Sequence, residues 1–417
     1  RSTQVLTLFP YTTLFRPRPT ARADRAMTLD LSVLALLVLA AFLSGWLAAR
    51  RSPATAVGAQ ADRLRRNYFR GLNYLLNEQP DKAIEVFLQI AEVDKQTVET
   101  HLALGNLFRR RGETDRAIRV HQNLIARPNL TPEQKSLALL ELGEDYMRAG
   151  LLDRAETLFT DLVGIDAHAP AALRHLIAIC QQERDWKRAI EHARRLEEIT
   201  GEAQAELVSQ FLSELAEHAA AKNDPVQAKA YLTEAVTVAP VSVRPRLIEG
   251  RLAHAQQDWR RAANAYERAV ENDIEYLPIA LAPMLDALEQ LDRSESIDAM
   301  LDEWMRRYPG ISPVIKMTRR VRERDGDAAA IRFLAERLRK KPSVRGLAEL
   351  VELQLSNAQG EAREQLEQVR DLLRQLLDGQ ALFRCSRCGF GARSHHWQCP
   401  GCKSWSTIKP VHGIAGN

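Results

Sequence analysis

The sequence repeats itself with a period of about 34 residues, and this period constrains the fold more than any other feature. Three successive units carry small and large residues at matching positions. These are Gly71, Tyr74, Ala83, Phe87 and Ile90, then Gly105, Phe108, Ala117, His121 and Leu124, then Gly143, Tyr146, Ala155, Phe159 and Leu162. Small residues let two antiparallel helices approach closely, and the larger ones fill the seam with the next unit. The chain is therefore predicted to stack helical hairpins.

Further units follow the same pattern more loosely. They contain Leu176, Cys180, Ala189 and Leu196, then Ala216, Ala228, Leu232, Ala235 and Pro240, then Gly250, Ala253, Ala262, Tyr266 and Ala269. The period and the pattern are those of the tetratricopeptide repeat, which predicts an all-α superhelix. We predict about nine units over residues 64–377, of which the last three, beyond Pro278, are degenerate. Cys180 and His121 stand where other units place aromatic residues, so both are predicted to be buried core residues.

Aspartates recur near the start of the second helix of each unit. Asp81, Asp115 and Asp153 each stand two residues before the recurring alanine, where they are predicted to be N-caps. No nucleophile elbow, Walker loop, metalloprotease motif or dinucleotide-binding glycine motif occurs in the array. A repeat stack of this kind presents a groove that binds other proteins, so we predict an adaptor and no enzymatic activity. The net charge of +4 is too even to favour nucleic acid as a partner.

An uncharged apolar stretch of about 19 residues runs over 31–49. It predicts a transmembrane helix at 29–49, followed by a juxtamembrane linker at 50–63. Arg50 and Arg51 follow at once, so the positive-inside rule places the rest of the chain in the cytoplasm. A cleaved signal peptide is the alternative, because small residues precede these arginines. Residues 1–26 show neither helical period nor signal-peptide order, and we set them aside as extraneous or disordered.

Four of the five cysteines cluster near the C-terminus. Cys385, Cys388, Cys399 and Cys402 form two Cys-x-x-Cys pairs, which in a reducing compartment indicate a thiolate site for one metal ion, iron or zinc. Gly389 and Gly401 are predicted to allow tight turns that direct backbone N–H groups toward the sulfurs. We therefore predict a small rubredoxin-like metal-binding domain at 381–412.

A unit this small needs metal and an apolar shell to fold. Phe390, Trp397 and Trp405 are predicted to supply that shell. His395 or His396 as a replacement ligand and a redox-active dithiol are the alternatives to a four-cysteine site. A closed site of four thiolates favours a structural role or outer-sphere electron transfer over hydrolysis.

The order of apolar helix, repeats and knuckle resembles the lipopolysaccharide assembly protein B family of Gram-negative inner membranes, from about Met27 to the end of the chain. Several segments carry the resemblance. They are Gly45-Trp46 followed by Arg50-Arg51-Ser52, the run from Leu104 to Gln122, Asp145-Tyr146-Met147 with Asp153-Arg154-Ala155, and Cys399-Pro-Gly-Cys402 leading to Trp405 and Pro410.

The resemblance implies a non-catalytic regulatory adaptor, single-pass in the inner membrane, with its repeats and C-terminus on the cytoplasmic side. It implies that the protein promotes degradation of the lipid A pathway deacetylase by the membrane-bound ATP-dependent zinc metalloprotease, alongside other inner-membrane lipopolysaccharide assembly proteins. It also carries over the four terminal cysteines as metal ligands, with the knuckle packed against the repeats. A membrane-tethered rubredoxin-like electron carrier and a general protein-assembly scaffold are the alternatives.

Overall fold

The computed structural model describes residues 31–50, 53–77, 79–93, 97–165 and 168–414, and its chain divides into two units, residues 1–100 and 101–417. Residues 1–26, set aside above, lie outside the described residues. The helices of the first unit are α1 (Leu31–Arg50), α2 (Pro53–Leu76), α3 (Pro80–Val93) and the start of α4 (Val98–Arg110), which continues into the second unit.

The helix expected over residues 29–49 is present as α1, and its described apolar side chains are largely exposed, Leu36 and Phe42 most of all. Within the residues that the structure describes, none of the helices is both long and apolar enough to cross a membrane. The segment predicted as a linker at 50–63 is helical from Pro53 onward, where α2 begins.

The second unit is a succession of helices followed by a small sheet. The helices are α5 (Thr114–Ile125), α6 (Pro132–Arg148), α7 (Leu152–Val163), α8 (Ala169–Glu183), α9 (Trp186–Thr200), α10 (Ala205–Ala221), α11 (Pro225–Val238), α12 (Val243–Ala255), α13 (Trp259–Asn272), a 3-10 turn (Ile274–Tyr276), α14 (Leu277–Glu289), α15 (Ser294–Arg307), α16 (Ser312–Asp325), α17 (Asp327–Lys340), α18 (Val344–Leu355) and α19 (Glu361–Asp378). The strands are β1 (Phe383–Cys385), β2 (Gly391–Ala392) and β3 (Ile408–Pro410).

The two helices of a repeat meet where a glycine on the first faces a ring on the second. A Cβ atom on Gly143 would lie 2.5 Å from the ring of Phe159, and one on Gly250 would lie 2.7 Å from the ring of Tyr266. The alanines that recur along the second helices are fully buried: Ala83, Ala117, Ala155, Ala189, Ala228 and Ala262. The predicted close approach of the two helices at small residues is therefore confirmed. The large ring of Phe159 reaches the next unit, as predicted, by stacking on His175, and it also packs on the glycine of its own hairpin, which was not predicted.

The predicted N-caps are wrong at three helices. α3, α5 and α7 begin before Asp81, Asp115 and Asp153, which lie in the first helical turn. A carboxylate there still interacts favourably with the positive end of the helix dipole. The aspartates whose side chains do cap α9, α11 and α13, by accepting a backbone N–H group of the first turn, are Asp185, Asp224 and Asp258.

Cys180 and His121 are buried, as predicted. Burial raises the pKa of the Cys180 thiol to about 11, which suits a packing residue. His121 has a role that the sequence analysis missed, because its Nδ1 lies 2.6 Å from Oδ2 of the buried Asp145. Arg109 donates to the other oxygen of the same carboxylate at 2.8 Å. One carboxylate thus holds together side chains from α4, α5 and α6.

Candidate metal centre and its packing on the repeats

The sheet holds two cysteine-bearing turns close together. β1 pairs antiparallel with both β2 and β3, so that Cys385 lies opposite Ile408. The first turn is completed by Gly389, whose positive φ of 78° is readily adopted by glycine. In the second turn the residue with positive φ is Lys403, and Gly401 instead lies beside the first turn, where an added Cβ would be 3.5 Å from the sulfur of Cys388. The prediction for Gly401 was therefore wrong in its reason.

The four sulfur atoms all lie within 4.8 Å of one another. The distance between the sulfurs of Cys385 and Cys402 is 3.7 Å, and that between Cys388 and Cys399 is 3.6 Å. A tetrahedral ion with metal–sulfur bonds of about 2.3 Å requires separations of about 3.8 Å. The four cysteines could therefore bind one metal ion almost without rearrangement, and both zinc and iron suit this ligand set.

Hydrogen bonds at two of the sulfurs, those of Cys385 and Cys402, favour the thiolate, which is the form that binds metal. The sulfur of Cys385 lies 3.3 Å from Oγ1 of Thr407. This contact, followed by the backbone N–H groups of Cys388 and Arg387, lowers the pKa of Cys385 to about 6. The hydroxyl and backbone N–H of Ser404 likewise lower the pKa of Cys402. Backbone donors thus do approach the sulfurs, as predicted for turns of this type.

Neither histidine joins the cysteines in a metal-ligating cluster within the described residues. His395 packs edge-on against Tyr276, Phe383 and Trp397. Burial among these rings lowers the pKa of His395 to about 4. His396 is exposed, with its Nε2 3.3 Å from Oγ of Ser394. The alternative of a histidine ligand therefore has no support in this geometry.

The tryptophans pack on the repeats and not around the metal site. Trp397 stacks on Tyr276 with ring centres 5.3 Å apart, and Trp405 meets Trp186 and Phe211 edge-on at 6.1 and 6.0 Å. The buried centre of the knuckle is formed by Cys385, Cys399 and Ile408, with the half-buried Phe383 and Cys402 packed against them. Phe390 is 38% exposed. The predicted apolar shell of Phe390, Trp397 and Trp405 was therefore wrong, because two of these rings serve to attach the knuckle to the repeats.

Polar contacts reinforce this attachment. Oε1 of Gln181 accepts a hydrogen bond from Nε1 of Trp405 at 2.8 Å and another from Nε2 of Gln398 at 3.1 Å. Further contacts between the two parts include the hydrogen bond from Gln210 to Ser406, the ion pair of Lys409 with Asp273, and the contact of His412 with Glu275. The knuckle thus lies across α8, α10, α12 and the 3-10 turn before α14.

One buried arginine lies at the centre of this contact. Arg244 is 1% exposed, and its Nη2 donates to the carboxylates of Glu214 and Glu217 at 2.7 Å each. Its guanidinium carbon lies 5.5 Å from the ring centres of both Trp397 and Trp405. The sequence analysis did not single out Arg244, because an arginine on a charged helix gives no local signal that another segment will cover it.

Fold and site together define a class, that of tetratricopeptide-repeat proteins whose C-terminal rubredoxin-type knuckle packs on the repeats. Family models agree: tetratricopeptide repeat models match residues 100–135, 140–203 and 213–281, and the model described as rubredoxin metal binding domain matches 383–410. The chain belongs to the lipopolysaccharide assembly protein B family, since it is 36% identical to the Escherichia coli (strain K12) protein of that name.

That match covers 93% of this chain and 100% of the relative. The Haemophilus influenzae protein of the same name is 32% identical, over 92% of this chain and 98% of the relative. Among solved structures, the crystal structure of MamA protein matches 43% of this chain and 92% of its own, at 16% identity and a TM-score of 0.34.

Proposed function

We propose that this protein is a non-catalytic adaptor of the inner membrane that limits lipopolysaccharide synthesis. In this proposal it brings the lipid A pathway deacetylase to the membrane-bound ATP-dependent zinc metalloprotease for degradation. The observation that carries the proposal is a full-length match to relatives named lipopolysaccharide assembly protein B, on a repeat fold suited to binding proteins. The apolar and charged surfaces of such a stack recognise partners and need no reactive group.

Cys385, Cys388, Cys399 and Cys402 are the proposed metal ligands. The metal supplies structural cross-linking of the two turns, and a closed four-thiolate shell leaves no position for a substrate. The rest of the knuckle then works through contacts, because Trp397 and Trp405 attach it to the repeats. The knuckle is in this view a fixed part of the binding surface.

Membrane attachment is proposed for α1. Its described side chains from residue 33 to 47 include no charged group, and Leu36, Val38 and Phe42 are each more than 60% exposed. An apolar surface of this kind is expected to be covered by lipid or by apolar helices of other membrane proteins. The basic residues that follow α1 support the proposal that the repeats and the knuckle lie on the cytoplasmic side, where both proposed partners would be reached.

The test of the adaptor role is the half-life of the deacetylase in cells that lack the endogenous protein and carry this chain. We expect a short half-life with the wild-type chain and a long one without it, and recovery of protease and deacetylase with the detergent-solubilised chain after crosslinking. The matched pair Cys399→Ser and Cys180→Ala separates the metal site from cysteine loss in general. An unchanged half-life, with neither partner recovered, contradicts the proposal.

The electron-carrier alternative rests on the same sulfur geometry, which suits a ferric ion as well as zinc. Purified protein with a coloured ferric-thiolate centre that bleaches reversibly on reduction would support it. Metal analysis of anaerobically purified chain that finds zinc alone excludes it. A chain that stabilises several unrelated inner-membrane assemblies, with no effect on the deacetylase, would instead support the general scaffold.

A further inference from the structure

The knuckle has a one-sided charge composition. From residue 379 to the end, the sequence contains five basic residues and neither aspartate nor glutamate: Arg384, Arg387, Arg393, Lys403 and Lys409. Elsewhere the chain is nearly balanced, with a net charge of +4 over its full length. Four thiolates around a divalent ion carry a net charge of −2, so the metal-bound knuckle still has an excess of positive charge.

One side of the knuckle already recognises carboxylates. Lys409 pairs with Asp273 and lies 4.1 Å from the ring centre of Tyr276, and His412 pairs with Glu275. These are contacts between a basic module and an acidic segment that carries an aromatic ring. Where the knuckle attaches to the repeats, its basic side chains thus already bind carboxylates of the chain itself.

Three other cations of the knuckle remain exposed to solvent. Arg387, Arg393 and Lys403 are exposed, as is the whole turn 386–391. Lys403 makes no ion pair within the part of the chain that the structure describes. Arg393 has only a long contact of 3.8 Å with Asp378, and Arg387 donates to the neutral Oγ of Ser404 at 2.7 Å. Exposed contacts of this kind contribute little to stability, so these cations are free to bind another carboxylate.

An apolar residue lies among these cations. Phe390 is 38% exposed at the end of the first turn, between two glycines that leave its ring uncovered. Because its Cβ lies 3.6 Å from the position of a Cβ on Gly401, the ring sits where the two cysteine turns meet. A short segment that combines carboxylates with one apolar side chain would satisfy both features of this surface.

The cleft between knuckle and repeats lacks such an excess of charge. This cleft has a volume of about 350 Å³ and is lined by Trp397 among others. Its charged groups are already paired, Arg251 with Glu217 and His254 with Asp286. The outer side of the knuckle is thus the better candidate for a charge-selective surface.

We propose that the outer face of the knuckle, formed by Arg387, Phe390, Arg393 and Lys403, binds an acidic, partly apolar segment of a protein partner. This inference rests on the proposed adaptor function for the biological meaning of the partner, but not for the binding itself. Arginine forks match carboxylates bidentately, while the ring adds area that is independent of salt. Binding is therefore expected to weaken with ionic strength without vanishing.

The experiment uses the full chain in detergent micelles and a fluorescein-labelled short peptide of alternating glutamate and leucine. Fluorescence anisotropy is recorded against the triple variant Arg387→Gln, Arg393→Gln and Lys403→Gln. We expect the triple variant to bind roughly tenfold more weakly, since each exposed pair is worth a factor of about two to five. A matched triple variant on the repeats removes the same charge from exposed arginines: Arg174→Gln, Arg194→Gln and Arg319→Gln.

Metal content is measured for every variant, because Arg387 and Lys403 flank the cysteines. If the triple variant releases its metal, the single variants Arg393→Gln and Phe390→Ala replace it in the peptide-binding assay. Each is expected to weaken peptide binding about twofold or more. Equal peptide binding by both triple variants overturns the proposal. So does charge-dependent binding to vesicles containing anionic lipid in place of the peptide, which would make the face a membrane contact. The peptide assay is independent of deacetylase turnover, so either proposal can fail alone.

Discussion

The substitution Arg244→Ala is predicted to release the knuckle from the repeats. Breaking a buried ion pair costs about 3–5 kcal/mol, and the lower end applies here because Glu214 and Glu217 are 28% and 33% exposed. The two lost ring contacts add about 1 kcal/mol. The ion pairs join α10 and α12 within the repeats and persist when the knuckle opens, so their loss destabilises the repeats. Only the ring contacts shift the opening equilibrium, and their loss raises its constant roughly fivefold.

Hydrogen exchange measured by mass spectrometry tests this prediction. We expect faster exchange over 383–410 and at the backbone N–H of Val344, which donates to the carbonyl of Ile414. The matched control is Arg251→Ala, since this side chain is 60% exposed and pairs with Glu217 at the surface, so its loss costs under about 1 kcal/mol. Arg244→Lys should fall between the two, because an ammonium lacks the planar fork of the guanidinium. Equal exchange in Arg244→Ala and Arg251→Ala, with the helical circular dichroism signal retained, refutes the reasoning.

Three further predictions concern the repeats and the knuckle. Gly143→Ala should lower the free energy of unfolding, measured in urea, by about 1–3 kcal/mol, because the added Cβ would lie 2.5 Å from the ring of Phe159. The control Gly164→Ala should change it little, because the added Cβ there makes only an ordinary contact. Asp145→Ala should cost about 1–3 kcal/mol in the same assay, because it leaves the buried His121 without its carboxylate partner, while the half-buried Arg109 keeps Glu141 and Glu144. Burial lowers the pKa of His395 to about 4 in the attached knuckle, whereas a released knuckle would have the ordinary histidine pKa of about 6.5. Between these two pH values protonation therefore favours release, and the free energy of attachment should fall by up to roughly 3 kcal/mol as the pH is lowered from about 6.5 to about 4.

Each of these predictions has an outcome that contradicts it. A Gly143→Ala chain as stable as wild type would mean that the helices of this repeat can move apart at no cost. Loss of less than about 1 kcal/mol in Asp145→Ala would mean that water or other carboxylates replace the buried one. For the pH dependence, the control is His395→Phe at equal metal content. If the attachment of the wild-type knuckle depends on pH between 6.5 and 4 in the same way as that of the variant, protonation of His395 is not the cause.

The repeats could be predicted from the sequence because their contacts are local. Gly143 and Phe159 lie 16 positions apart in one hairpin, so periodic spacing encodes their contact. The cysteine cluster was predictable for the same reason, since each Cys-x-x-Cys turn fixes two sulfurs within four residues. In both cases the residue types and their separation determine the geometry, and no information about distant parts of the chain is needed.

The attachment of the knuckle to the repeats could not be predicted from the sequence. Gln181 and Trp405 meet across 224 residues, and no periodicity links them. The sequence alone therefore predicts Trp397 and Trp405 as part of the apolar shell of a small domain, whereas their partners are rings of the repeats. His121 shows the same effect over a shorter range, because its buried position was evident from the repeat but its hydrogen-bond partner, Asp145, comes from the following unit.

The separation between Gln181 and Trp405 also sets an order of events during synthesis. Each hairpin can form as soon as its two helices leave the ribosome, but the face that receives Trp405 stays bare until the final residues emerge. Arg244 and its two carboxylates are hydrated during that interval, and they lose their water when the knuckle, which four cysteines could fold around a metal ion, docks on the repeats. A shortage of metal would thus leave otherwise complete nascent chains with an uncovered charged face, open to chaperones and proteases.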